Sequence, residues 1–243
     1  IEPLALTFRN NETQPNQMEI VMNELLSSQV FFDTNIRGCM VRSPLDFIIG
    51  NLRAFKQPWP DPATQVEAQY SFWNQVYALA AFSGQDIANP PNVAGWPAYY
   101  QFPQYDELWL DTATYAVRKL IYEAITVVGF STGMNLYEPA SQNTEFRIDG
   151  VDFVSDLTDP SDPDLLIQEL SELLLTVPIS QTVRDQLKVN YLLFGQSVNY
   201  YWTIPYIEYT TNPGTTDPAA LLVPTILLGL ILDLQGAAEH HLM

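Results

Sequence analysis

The chain has 243 residues, 47% of them apolar, so it can bury a substantial core as one large domain or two small ones. It carries 28 acidic and 10 basic residues, which gives a formal net charge of −18. This acidic excess disfavours binding to nucleic acid or to anionic membrane surfaces, because neutralising phosphate requires clustered lysine and arginine.

Cysteine usage, the chain start and the most apolar segment set further limits. Cys39 is the single cysteine, so an intrachain disulfide is excluded. The first residue is Ile1, which is typical of a processed product or a fragment of a longer precursor. The apolar segment 219–232 is shorter than the roughly 20 apolar residues that a membrane span needs, and it contains Pro224. We therefore expect a buried core helix there and no membrane span.

The first part of the chain is predicted to be helical, with one strong helix start at Ser43. Serine caps a helix there, Pro44 suits the first helical position, and Asp46 complements the helix dipole. The predicted helices are 3–9, 16–28, 43–55, 61–82 and 111–128. In the fourth, apolar and aromatic residues recur every three or four positions, which predicts a core-facing stripe; the alternative is the wall of a ligand groove. The stripe comprises Val66, Tyr70, Trp73, Tyr77 and Ala80.

Residues 129–149 are rich in glycine and polar residues and are predicted to form a loop between two halves of the chain. The first half, 1–128, carries the motifs SPLDF and PPNVAGWP, and the second half, 129–243, is helical in pattern. We expect both halves to pack as one domain. The further predicted helices are 151–157, a helix capped by Asp162, 181–194, 200–209 and a final apolar helix that starts at Asp217. The fold class is therefore all-α, an irregular multi-helix array with a long ordered aromatic loop.

That loop, 83–111, is the most unusual stretch of the chain. Loops of this length are usually functional or disordered, and its many aromatic rings argue against disorder. Gly95 before Trp96 indicates a tight turn or a close backbone approach. The rings should fasten the loop to the helical body, either as a cap on the core or as a recognition surface. For a recognition surface, the predicted binding residues are Asn92, Gly95, Trp96, Tyr99, Tyr100 and Trp109.

Four blocks of sequence resemble one bacterial family. They are PPNVAGWP at 90–97, FFDTNIRGCMVRSPLDFIIGNLRAF at 31–55, LWLDTAT at 108–114 and AEHHLM at 238–243. In content, order and separation they resemble the domain-of-unknown-function 1800 family. The chain departs from the family at Ala98, Tyr99 and Tyr100, where members often have a glycine pair. The family's upstream HLLRRAGFG motif is absent, so the chain resembles the C-terminal portion of a member.

The resemblance implies a location and partners, but no settled activity. Members commonly carry export signals, which implies a secreted protein or one of the cell envelope, in the periplasm or at the cell surface. Genes for sulfatase-like proteins of the domain-of-unknown-function 1501 family often lie beside those of members, which implies such a protein as a partner. The upstream part of the precursor would be a second partner.

The sequence contains no recognisable catalytic set of reactive groups. It contains no phosphate loop, no G-x-S-x-G elbow and no cysteine–histidine set with zinc spacing, so no cofactor and no metal site are predicted. His240 and His241 are adjacent near the terminus, and we expect a solvated tail there. The alternative cofactor is Ca²⁺ held by aspartates between Asp149 and Asp164, whose spacing does not match an EF-hand loop.

Two functions from different classes fit these observations. The first is a non-catalytic interaction or structural module of the cell envelope or extracellular space, which binds a protein partner through the aromatic loop. The second is a polysaccharide-directed hydrolase, in which acids beside Trp96 and Trp109 transfer protons. Its candidate catalytic residues are Asp106, Glu107 and Asp111. Two facing carboxylates above a tryptophan floor would favour the hydrolase.

Overall fold

A computed structural model of the chain describes residues 1–56, 59–96, 108–131 and 145–243. Within these ranges the fold is all-α, as the sequence predicts, apart from two strands of two residues each, β1 (Phe130–Ser131) and β2 (Glu145–Phe146). The two strands pair antiparallel. The predicted site residues Tyr99, Tyr100, Asp106 and Glu107 lie outside the described residues.

The described residues form two compact units, unit 1 (1–39) and unit 2 (40–243). Unit 1 is a hairpin of α1 (Glu2–Asn10) and α2 (Gln17–Leu26), followed by two short 3-10 turns. Both helices are described in full, and neither contains a buried residue. The halves predicted from the sequence, 1–128 and 129–243, are a different division, and the core of unit 2 draws residues from both of them.

Unit 2 contains most of the helices and the core. Its α-helices within the described residues are α3 (Pro44–Ala54), α4 (Val66–Phe82), α5 (Thr112–Glu123), α6 (Gly150–Ser155), α7 (Pro163–Leu174), α8 (Gln181–Leu187), α9 (Tyr200–Thr211), α10 (Pro218–Leu221) and α11 (Val223–Gly236). Two π-helical segments, Ala124–Val128 and Lys188–Leu192, extend α5 and α8. A 3-10 turn, Ala238–His241, precedes the chain end.

Several helices of unit 2 begin at the caps that the sequence predicts. The Ser43 hydroxyl accepts a hydrogen bond from the Asp46 amide at the start of α3. Asp162 does the same for the amide of Asp164 at the start of α7, and Ser180 for the amide of Val183 in α8. Each cap satisfies a backbone amide that would otherwise lack an acceptor in the first helical turn, which fixes where the helix begins.

α11 lies at the centre of the core of unit 2, where it packs against α5, α6, α7 and α9. Leu227, Leu230 and Ile231 have no exposed surface, which confirms the predicted core helix. By length and composition alone, the stretch Pro218–Gly236 is also long and apolar enough to cross a membrane.

Most of the predicted stripe of α4 lies at the surface, so the prediction that it faces the core was wrong except at Ala80, which is buried. Tyr70 is 63% exposed and Trp73 is 46% exposed, whereas Phe72 has no exposed surface. The buried positions recur every four residues: Ala68, Phe72, Val76 and Ala80. Both faces of α4 carry apolar residues, and periodicity cannot decide between two such faces.

Candidate functional site

The aromatic loop is described up to Trp96 and again from Leu108. Gly95 has a φ of 89°, and its amide donates to the Asn92 carbonyl at 2.9 Å, which makes the tight turn that the sequence predicts. The ring centroids of Trp96 and Trp109 lie 5.7 Å apart, and Trp109 is only 6% exposed. The two described ends of the loop are therefore held together by a tryptophan pair.

Arg118 of α5 fixes the end of the loop at Trp109. Its Nε and Nη2 atoms donate to the Trp109 carbonyl at 3.3 and 3.2 Å, and Nη2 also donates to the Arg42 carbonyl. The guanidinium lies 5.0 Å from the centroid of the Phe47 ring, and the side chain has no exposed surface. Arg118 thus ties the loop end to the start of α3, a role that its sequence position does not reveal.

Asp111, a candidate catalytic acid, forms the N-cap of α5. Its Oδ1 accepts from the amides of Ala113 and Thr114 at 2.8 and 2.7 Å, and the Thr114 hydroxyl accepts from the Asp111 amide. This reciprocal pair is a capping box. Hydrogen bonds from the Thr114 amide and hydroxyl hold the pKa of the Asp111 carboxyl below its ordinary value. The carboxylate is therefore engaged by the helix start.

Replacing Asp111 with alanine should lower the Tm of unit 2 by about 2–4 °C, because two amides of the first turn of α5 lose their acceptor. Serine at the same position restores an acceptor but no carboxylate, so Asp111→Ser should keep a Tm close to that of the wild type. Thermal unfolding followed by circular dichroism measures both variants. An equal drop in Tm in both variants would mean that Asp111 does not stabilise the protein by capping α5.

The aspartates between Asp149 and Asp164 serve mainly as local caps and ion-pair partners. Asp149 caps α6, and Asp159 accepts from Ser161. The Asp164 carboxylate accepts from Lys188 at 2.6 Å. Within the described part of the chain, no group of three or more histidine, cysteine or acidic side chains is arranged to hold a metal ion. The calcium alternative gains no support from these contacts.

The C-terminal histidines are buried, so the expectation of a solvated tail was wrong. His240 and His241 are each 1% exposed. The chain end pairs with the start of unit 2: the Arg42 amide donates to the His241 carbonyl, and the Met243 amide donates to the Met40 carbonyl, both at 2.8 Å. The sequence gives no signal for this pairing, because the paired residues are about two hundred positions apart.

The two imidazoles lie among rings and next to two arginines. His241 stacks on Phe47 with centroids 5.0 Å apart, and His240 Nδ1 lies 2.9 Å from the Leu174 carbonyl oxygen. His240 Nε2 and both ring nitrogens of His241 have no hydrogen-bond partner within the described ranges. Burial, together with the charges of Arg42 and Arg118, lowers the pKa of His240 to about 4 and that of His241 to about 3. Both rings are thus neutral at neutral pH.

A groove of about 530 Å³ opens between α5, α8 and α11, and we call it the α5–α8–α11 groove. Its apolar wall comes from α8, α11 and the connection before α8, and consists of Leu175, Ile179, Val183, Leu187 and Leu232. Its polar lining comprises Lys119, Tyr122, Glu123, Tyr191 and Asp233. Cavities of roughly 300–1,000 Å³ with an apolar wall and a few polar groups are typical of binding sites. None of these residues was a candidate from the sequence.

Both π-helical segments border this groove. Glu123 immediately precedes the segment Ala124–Val128, and Tyr191 belongs to the segment Lys188–Leu192. A π-helical turn inserts an extra residue into the helix, redirects the side chains around it, and is frequently found at functional sites. Tyr191 therefore projects from a π-helical turn, whereas Glu123 is the last residue of the regular helix α5.

Two glycines of α11 face the tyrosines of the groove. A Cβ atom on Gly229 would lie 3.4 Å from Tyr191 Cε1, and one on Gly236 would lie 3.4 Å from Tyr122 Oη. The glycines are seven residues apart and so share a helix face with Asp233, which lies between them. The exposed Asp233 carboxylate therefore lies close to both tyrosines.

Two carboxylates act on the tyrosine hydroxyls of the groove. The pKa of Tyr122 is raised, first by burial and then by the charges of Tyr115, Glu123 and Asp233. The pKa of Tyr191 is raised by burial, by the charge of Asp233 and by a hydrogen bond to that carboxylate. Both phenols therefore stay neutral, and Glu123 and Asp233 both lie close enough to the Tyr122 hydroxyl to affect its ionisation.

The fold is all-α. The described ends of its aromatic loop are joined by the Trp96–Trp109 pair, and the separate α5–α8–α11 groove has both apolar and polar lining residues. The family described as "Protein of unknown function (DUF1800)" matches residues 1–197. The chain belongs to this family, as the three sequence blocks within residues 1–197 predict; the block at 238–243 lies beyond the match. The match covers α5 and α8 but ends before α11, so one side of the groove lies beyond it. No curated protein and no solved structure matches the chain significantly.

Proposed function

We propose that the chain is a non-catalytic interaction module that binds a segment of a protein partner in the α5–α8–α11 groove. The observation that supports this most directly is the groove itself, whose volume of about 530 Å³ combines an apolar wall with convergent polar groups. The wall provides buried apolar area, and the tyrosines and carboxylates provide orientation and selectivity. We propose the described part of the aromatic loop around Trp96 as a second contact surface, as the sequence predicts for this loop.

We place this module outside the cytoplasm, either secreted or in the cell envelope. The chain belongs to the family, and the resemblance to its members implies export, which supports this location. The candidate partners are a sulfatase-like protein of the domain-of-unknown-function 1501 family and the upstream part of the precursor.

The polysaccharide hydrolase receives no comparable support. Asp106 and Glu107 lie outside the described residues, and the Asp111 carboxylate is engaged by the cap of α5. The described residues therefore do not include the two facing carboxylates above a tryptophan that would favour hydrolysis.

Filling the groove should abolish partner binding. Val183, on α8, is 39% exposed and lines the groove, so Val183→Trp would block it without disturbing the core. Val198 is 50% exposed and is not among the groove-lining residues, so Val198→Trp is a matched control. Random peptides displayed on phage are selected against the wild-type protein, and the enriched sequences are then measured by fluorescence anisotropy.

We expect the enriched peptides to bind the wild type and the Val198→Trp variant equally, and to bind the Val183→Trp variant at least about tenfold more weakly. Peptides that bind all three proteins alike would place the interaction elsewhere on the chain. Failure to enrich any peptide would contradict the proposed function of the groove.

A further inference from the structure

We infer that the α5–α8–α11 groove accepts a lysine side chain of the partner as its anchor, with the ammonium group held between the Tyr122 and Tyr191 rings and the carboxylates of Glu123 and Asp233. This inference rests on the proposed function and adds to it the chemistry of the partner: an apolar segment that carries a basic residue.

The charge of the groove favours a cation. Its described lining contains two carboxylates, Glu123 and Asp233, and one cationic side chain, Lys119. The chain as a whole carries a formal net charge of −18. A negative field over a cleft attracts a positively charged partner segment and discriminates against an acidic one.

The tyrosine rings complete a site for an ammonium group. The face of an aromatic ring attracts a cation that lies within about 6 Å of its centroid, and the attraction increases as water is removed. Tyr122 is 6% exposed and Tyr191 is half-buried, so part of the site is already shielded from solvent. Along α11, Asp233 lies between Gly229, which Tyr191 contacts, and Gly236, which Tyr122 contacts, so one carboxylate lies close to both tyrosines.

The apolar wall matches the rest of a lysine side chain. Lysine buries its methylene stem along apolar surface while its charged end reaches polar groups. In the groove, Leu187 and Leu232 offer such a surface next to Tyr191 and Asp233. A lysine anchor therefore uses the wall and the polar end of the groove at the same time.

Lys119 holds one of these acceptors in the free protein only weakly. Its Nζ lies 3.7 Å from Glu123 Oε1, and its side chain is 60% exposed. Exposed ion pairs contribute little, and the order lysine-then-glutamate along a helix is the less favourable one. A partner lysine can thus displace Lys119 from Glu123.

The test uses two fluorescein-labelled, leucine-rich peptides that differ only at one central position, which is lysine in one and norleucine in the other. Their Kd values are measured by anisotropy against the wild type, Asp233→Asn, Glu123→Gln, Lys119→Ala and Val183→Trp. We expect the lysine peptide to bind the wild type about tenfold more tightly than the norleucine peptide. This preference should shrink in Asp233→Asn and Glu123→Gln, grow in Lys119→Ala, and weaken as salt concentration rises.

The variants separate a failure of this inference from a failure of the proposed function. If both peptides bind the wild type equally and Val183→Trp weakens both, the groove binds apolar segments and the lysine anchor is overturned. If neither peptide binds the wild type, or Val183→Trp has no effect on either, the proposed function of the groove fails as well.

Tyr191→Phe should keep the lysine preference and Tyr191→Leu should reduce it, because the ring rather than the hydroxyl faces the cation.

Discussion

Acidification from pH 7 to pH 4.5 should destabilise unit 2 by roughly 3–5 kcal/mol. The reason is that two buried histidines stay largely neutral in the folded chain at a pH at which they are protonated in the unfolded chain. The folded pKa values of His240 and His241, about 4 and about 3, lie below the ordinary value of 6.5. At pH values between the folded pKa values and the ordinary value, the unfolded chain binds more protons than the folded chain. The free energy of unfolding therefore falls as the pH falls. The contribution is complete above about pH 6.5 and is lost on the way down towards the folded pKa values.

The loss of stability between pH 7 and pH 4.5 is expected mainly from the two histidines. The chain contains only these two histidines. The carboxylates of Asp111, Asp159 and Asp164 have a pKa lowered by hydrogen bonds or ion pairing, and their contribution is lost as the pH falls through and below their ordinary value of 3.8. The acid loss should therefore begin with the histidines and continue with the carboxylates at lower pH.

Urea unfolding at a series of pH values between 7 and 4.5 measures the effect. The double variant His240→Asn, His241→Phe should have a flatter pH profile, because asparagine keeps a donor for the Leu174 carbonyl and phenylalanine keeps a ring on Phe47, while neither takes up a proton. A wild-type free energy of unfolding that stays constant over this range would contradict the burial of the pair. A double variant with the wild-type slope would contradict its assignment to these residues.

Deleting Ala238–Met243 should destabilise unit 2 by roughly 4 kcal/mol or more, because it removes two buried rings and several hydrogen bonds at once. The Leu242 carbonyl accepts from Arg42 Nε at 2.9 Å and from the Thr176 hydroxyl at 2.7 Å. Both donors would lose that acceptor in a partly buried setting. The Phe47 ring would also lose the stacked His241 ring.

Differential scanning calorimetry of the truncated and full chains tests this expectation, with Met243→Ala as the control. The Met243 side chain is 45% exposed, and its hydrogen bond to Met40 uses the backbone amide, so alanine leaves the pairing intact. The control should stay within about 0.5 kcal/mol of the wild type. A truncated chain that unfolds like the control would show that the chain end is dispensable for the core.

The sequence predicts those parts of the fold that depend on local rules. The caps at Ser43, Asp111, Asp162 and Ser180 are correct, because a cap joins residues only two or three positions apart. The turn at Gly95 and the buried core helix α11 are correct for the same reason, since each is encoded within a short stretch. Local pattern thus locates helices more reliably than it orients them.

Features that depend on distant contacts could not be predicted. The face that α4 buries is chosen by its neighbours, among them Trp59 and Phe130, whose ring centroids each lie 4.7 Å from that of Phe72. The burial of the histidines requires the pairing of Arg42 with the chain end. The groove exists only where three helices meet, and its π-helical borders have no recognised sequence pattern. The glycines at 229 and 236 were the available signal, because an apolar helix with two glycines on one face suggests close approach by other side chains.

The closure of unit 2 by its own C-terminal residues also sets the order in which a newly made chain can fold. α11 and the turn Ala238–His241 are synthesised long after residues 40–42, yet they supply the centre of the core and the pairing with those residues. Unit 2 can therefore complete its fold only once residues 223–243 have been synthesised, whereas the hairpin of unit 1 relies on short-range contacts and can form earlier.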